Sequence, residues 1–173
     1  MAEIFVEWGG AERRLSLTYG GLLDIEEACG KVGIGEIYLR LGQHQYRAAY
    51  VYHVIRLGLI GGGMTSQEAK RLLDERFDVT PLVRHVEIAL DLLIAVMAGI
   101  EPDDTKASGD PSRPYDTGAI LASFAKLGIS PESVRGMSYR DFVHMCRAFG
   151  GDTVQPPSEE EFEDMISRMM PNG

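Results

Sequence analysis

The run from Glu101 to Arg113, EPDDTKASGDPSR, carries no large apolar side chain and is rich in Pro, Gly, Ser and Asp. Such a segment buries too little hydrophobic surface to offset the entropy of ordering it. It therefore divides the chain, and the apolar patterns on its two sides must each find their own covering surface. The organisation that follows is a hairpin plus helical module over residues 1–100, a flexible linker over 101–114, a small helical module over 115–152, and a second linker with an amphipathic tail helix over 153–173. The expected fold class is mainly α, with a short N-terminal β-hairpin packed on the first helical module.

The hairpin is read from alternation. Ile4, Val6 and Trp8 alternate with polar neighbours, as do Leu15, Leu17 and Tyr19, and Gly9-Gly10 lies between the two runs. A lone hairpin is not stable in water, so its apolar face must lie on the helices or pair with another copy. Short helical patterns follow over Leu22–Ala28 and Ile37–Leu41, and a longer one over Gln43–Leu59, stopped by Gly61-Gly62-Gly63. Thr65 with Glu68 forms a capping box that opens a helix to about Arg76. Thr80 then caps a helix with Pro81 at its first position, and its stripe of Leu82, Val83, Val86, Ala89, Leu90, Leu93, Val96 and Met97 predicts the most buried helix of the module.

In the second module one helix ends at Gly128, a tight turn is expected at Ser130-Pro131, and a second helix starts at a Ser138 cap and stops at Gly150. Ala119, Ile120, Phe124 and Leu127 face Phe142, Met145, Cys146 and Phe149. In the tail, Phe162, Met165, Ile166, Met169 and Met170 recur at three- and four-residue spacing behind acids in the first turn.

Charge and composition exclude several functions. The net charge of −9 disfavours a nucleic-acid ligand, because phosphates would be repelled. The most apolar run, Ile88 to Ile100, is interrupted by Asp91 and is too short for a bilayer, and the N-terminus lacks a signal-peptide pattern. A cytoplasmic protein with no membrane partner is expected. Cys29 and Cys146 have neither disulfide nor metal spacing.

No catalytic constellation stands out. His44, His53, His85 and His144 are never at i, i+4 from one another, and each reads as a polar residue on a capped helix. The glycine run before Met64-Thr65-Ser66 lacks the lysine and the preceding strand of a phosphate-binding loop, so it reads as a helix stop and N-cap. Asp24, Glu26 and Glu27 diverge around one short helix. The expectation is a protein that is not an enzyme, with no metal and no cofactor.

Five of the eight methionines lie between Met137 and Met170. Methionine is flexible and polarizable, suited to surfaces that accept varied apolar partners. The tail helix cannot bury its stripe alone, so it folds back on its own module or docks in a partner's groove. The residues expected to bind partners are Phe142, Met145, Phe149, Phe162, Met165, Ile166 and Met169.

The order of these motifs resembles a known family. EIFVEWGGAERRLSLTYGGLLDIEEACG through VIRLGLIGGGMTSQEAKRLLDE is similar to a small protein of the tail clusters of siphophages and gene transfer agents. LGISPESVRGMSYRDFVHMCRAF resembles the tail assembly chaperone module, through Ile129-Ser130-Pro131, Met137-Ser138 and Asp141-Phe142. Val134-Arg135 stand where that module has an aromatic pair, and Tyr139 where it has a proline. The resemblance implies a tail assembly chaperone with the two modules joined, binding the tape measure protein and the tail tube protein. Homo-oligomerisation stays open, because a hairpin edge can self-assemble. The alternatives are a structural tube or tube-associated subunit of such a tail, and a small adaptor domain unrelated to phage.

Overall fold

The computed structural model describes residues 2–97, 114 and 116–150. Strands β1 (Ala2–Trp8) and β2 (Ala11–Leu17) precede helices α1 (Tyr19–Ala28), α2 (Ile34–Gly42), α3 (Ala48–Gly61), α4 (Ser66–Arg76) and α5 (Leu82–Met97). After the undescribed stretch come α6 (Thr117–Lys126), α7 (Pro131–Gly136) and α8 (Tyr139–Gly150). The fold is mainly helical with an N-terminal hairpin. The expected linkers and the tail helix lie outside the described residues. Residues 1–142 form one compact unit, and residues 143–173 a second, of which the later turns of α8 are described.

The hairpin is antiparallel, with Trp8 opposite Ala11 and Ala2 opposite Leu17. Gly9 and Gly10 have φ of 64° and 83°. Two consecutive positive φ values make the tight primed turn whose twist matches the strands, and only residues without a Cβ adopt it at low cost. The inward face buries Trp8, Leu15 and Leu17 among Tyr50, Val51, Val54, Ile55 and Leu59 of α3 and Val86, Ala89, Leu92 and Leu93 of α5. Each such burial contributes roughly 1.5–3 kcal/mol, more than enough to hold a hairpin that is marginal alone.

Backbones set the closest contact. The last turn of α3 lies directly on β2, and a Cβ at Gly61 or Gly62 would overlap the carbonyl oxygens of Ser16 and Arg14 respectively. The glycine run is therefore more than the helix stop expected from sequence. It is the face through which α3 meets the strand.

Helix boundaries follow local capping. α1 begins at Tyr19, earlier than the expected Leu22, because the Thr18 hydroxyl accepts from the Gly21 N–H at 3.3 Å. The Glu26 carboxylate, 4% exposed, accepts from the Ile34 N–H at 2.8 Å and caps α2 from across a turn. α3 starts at Ala48 and not at Gln43, because Gln43 closes α2 and His44 takes a φ of 56° that redirects the chain. The Thr65–Glu68 capping box forms as read from sequence. Ser130 does not merely turn the chain: its side chain accepts from the Ser133 N–H at 3.2 Å and starts α7, with Pro131 at its first position.

In α5 the buried stripe starts at His85, whereas Leu82 and Val83 stay 40% and 53% exposed. His85 itself is fully buried, against Trp8 at 5.5 Å and Phe77 at 4.6 Å between ring centroids. Neither of its ring nitrogens has a hydrogen-bond partner among the described residues. Burial pulls its pKa below the ordinary 6.5, and the nearby Pro81 carbonyl offsets this only in part.

Two outcomes are expected. Gly61→Ala forces α3 off β2 and lowers stability by about 1–3 kcal/mol, read as a fall in urea midpoint. Gly63→Ala, where nothing lies within reach of an added Cβ but φ is 112°, carries only the backbone strain. The second concerns pH. As pH falls below 6.5, the unfolded chain takes up an imidazole proton that folded His85 refuses, so stability declines toward acid. His53, lowered by burial and by Arg56, acts in the same direction. Melting temperature should therefore drop less between neutral and mildly acidic pH in His85→Phe than in the parent; an equal drop overturns the assignment.

Candidate docking surfaces

Phe142, expected at a partner interface, is 3% exposed. Its ring stacks on Tyr19 with centroids 3.6 Å apart and planes 10° from parallel. Phe124 of α6 and Tyr139 lie beside it at 5.9 Å and 6.4 Å. The ring is thus used inside the unit, joining the start of α8 to α1. Met145 is half-buried on the later part of α8. The side chain of Phe149 and the residues Phe162, Met165, Ile166 and Met169 lie outside the described residues.

The same joint is reinforced beside the stack. The Tyr19 N–H donates to the Met137 carbonyl at 3.0 Å, and the Arg135 guanidinium meets the Asp24 carboxylate at 2.6 Å. A Cβ at Gly20 would lie 2.8 Å from the Arg135 carbonyl oxygen, so glycine is what lets α7 come this close. The Tyr19–Phe142 pair lies far apart in sequence, and no local pattern pointed to it.

Among the described residues, two places with exposed apolar side chains stand out. Val79, Leu82 and Val83 are 72%, 40% and 53% exposed at the α4–α5 corner. With Ala48, Phe77 and Pro81, Val79 and Leu82 border a shallow depression of about 480 Å³. The second surface is the outer face of the hairpin. There Phe5, 58% exposed, lies opposite Arg14, and Glu7 lies opposite Glu12. Both surfaces fall outside the residues expected from sequence. An apolar side chain in the polar phase of a strand, as Phe5 is, was the signal available for the second.

The carboxylates of Asp24, Glu26 and Glu68 are engaged structurally. Asp24 pairs with Arg135, Glu26 caps α2, and Glu68 closes the capping box on Thr65. Burial pushes the Cys29 thiol up to about 11, leaving it protonated and unreactive at neutral pH. Gly61 and Gly62 face carbonyl oxygens of β2, an environment that repels a phosphate. Among the described residues no group of His, Cys, Asp and Glu could hold a metal ion, and no helix is long and apolar enough to cross a membrane.

Compared with known proteins, residues 1–99 match the family model described as phage tail tube protein, GTA-gp10. This match takes in the hairpin and α1 to α5 and ends before α6. No curated protein and no solved structure matches the chain.

Removing the stack isolates the joint from the core. Phe142→Ala should cost about 3–5 kcal/mol if the whole unit melts together. If α6 to α8 detach first, protection from hydrogen exchange is lost in Gly118–Arg135 while α3 and α5 keep theirs. Uniform loss in all helices identifies one cooperative unit; unchanged exchange throughout overturns the anchoring role of Phe142.

Proposed function

Because the chain belongs to the phage tail tube family whose description names GTA-gp10, we propose that it is a structural, tube-associated subunit of a phage or gene transfer agent tail. It acts by protein–protein contact and without catalysis, and is made and assembled in the cytoplasm of the bacterial host. The observation that carries this reading is the family match through the whole hairpin and helical module. The exposed Val79, Leu82, Val83 and Phe5 support it, because a subunit built into a larger assembly needs faces that only the assembly covers.

A second reading is a tail assembly chaperone that binds the tape measure protein and the tube protein. The exposed Val79, Leu82 and Val83 favour it, since apolar side chains beside a shallow depression suit transient docking of an amphipathic helix. Weak, repeated contacts of that kind could later be displaced by tube protein.

Mass spectrometry of purified particles separates the two. A structural subunit should be abundant, in fixed ratio to the tube protein. A chaperone should be absent from particles yet co-purify with the tape measure protein from lysates. A chain found in neither fraction removes both readings.

A further inference from the structure

The two edges of the hairpin are not equivalent. The two-residue turn makes Trp8 and Ala11 the hydrogen-bonded closing pair. Alternation then turns the backbone N–H and C=O of Glu7, Phe5 and Glu3 away from β2, and those of Glu12, Arg14 and Ser16 away from β1. The contacts agree, for the Arg14 and Ser16 carbonyls point at the glycines of α3. The β2 edge is therefore covered by a helix. Among the described residues the sheet consists of these two strands, and no backbone group pairs with Glu3, Phe5 or Glu7 on the far side of β1.

The side chains along that open edge are also unbalanced. Glu3 meets Arg14 at 2.7 Å. Glu7 and Glu12 face each other across a non-hydrogen-bonded pair, where side chains come closest, and neither has an ion-pair partner among the described residues. Like charges so placed destabilise a sheet. Phe5 stands exposed beside them.

We infer that the β1 edge is a strand-addition site for an extended segment of another protein, one that lays an apolar side chain beside Phe5 and a lysine or arginine beside Glu7 and Glu12. Backbone hydrogen bonds to Glu3, Phe5 and Glu7 supply affinity, and the carboxylate pair supplies selection by charge. A second copy of this chain is disfavoured as the occupant. The antiparallel register that stacks Phe5 on Phe5 sets Glu3 against Glu7 twice. This deepens the proposed function, resting on its premise that the chain works by binding other proteins of the tail.

The test uses fluorescently labelled peptides of about eight residues, long enough to pair with one strand edge. One repeats valine-threonine-lysine-threonine, so that valine and lysine alternate along a single face, and the control carries glutamate in place of lysine. Anisotropy titration of the full chain at low salt should show saturable binding of the lysine peptide, at least about tenfold tighter than the control. Glu7→Pro removes an outward N–H without touching a β1–β2 bond, and should abolish binding while leaving the melting temperature nearly unchanged. Glu12→Lys leaves the β1 backbone intact and should weaken binding several-fold, so the outcome stands even if the proline variant unfolds. Absence of binding, equal binding of both peptides, or full binding by Glu7→Pro overturns the site; the last would mark a general attraction to an acidic chain. A parent dimer that Glu7→Pro dissociates overturns the choice of occupant. Peptide failure with the chain abundant in particles sinks this site alone, whereas absence from both particles and tape measure complexes sinks the functional reading.

Discussion

The contact between the last turn of α3 and β2 holds the rest of the architecture in place. A two-stranded sheet has too few hydrogen bonds and too little buried surface to persist by itself. Here a helix reaches the strand backbone because Gly61 and Gly62 present no side chain to it. Once α3 is seated, Leu15 and Leu17 enter the core, α5 covers the rest of the inward face, and Trp8 is carried against His85. One backbone approach thus couples the covered edge, the apolar core and the buried imidazole. It also decides which edge stays open, since only β2 is blocked.

The C-terminal helices attach by a different principle. The joint of α1 with α7 and the start of α8 combines one aromatic stack, one backbone hydrogen bond and one exposed ion pair, with glycine at the point of closest approach. The ion pair is half-exposed and contributes little, typically under about 1 kcal/mol. The stacked rings, both nearly inaccessible to solvent, carry most of the attachment. The family match ends at residue 99, so α6 to α8 are an addition to the matched module. Part of that module's α1 surface is spent on holding them.

What is left exposed has a coherent chemistry. The corner around Val79 and Val83 is apolar and suited to a helix, whereas the β1 edge offers backbone groups with acids beside them. These surfaces call for different occupants, as expected of a protein that sits among several components of one assembly. Neither uses Asp24, Glu26 or Glu68, which are engaged in caps and pairs.

Local signals in the sequence carry far. The alternation around Gly9-Gly10 defines the hairpin, Thr65 with Glu68 and Ser138 with Asp141 define helix starts, and Gly128 ends α6 with a φ of 78°. These features depend on neighbours within a few residues, so a one-dimensional reading can find them. One residue expected at a partner interface lies in the core instead. Phe142 has the spacing of an interface residue, yet its ring is taken up by Tyr19, which lies more than a hundred positions away. His85 reads as a polar helix residue and lies in the core, while Leu82 and Val83 read as core and lie at the surface. Periodicity states which side chains share a face. Which face meets the core depends on how helices cross, and that is settled by long-range packing. The sequence by itself determined the hairpin, the order of most helices and the local caps at Thr65 and Ser138. Only the tertiary structure decided that glycines clamp the strand, that one sheet edge is closed and the other open, and that an aromatic ring serves the fold, because these follow from surfaces brought together across the whole chain.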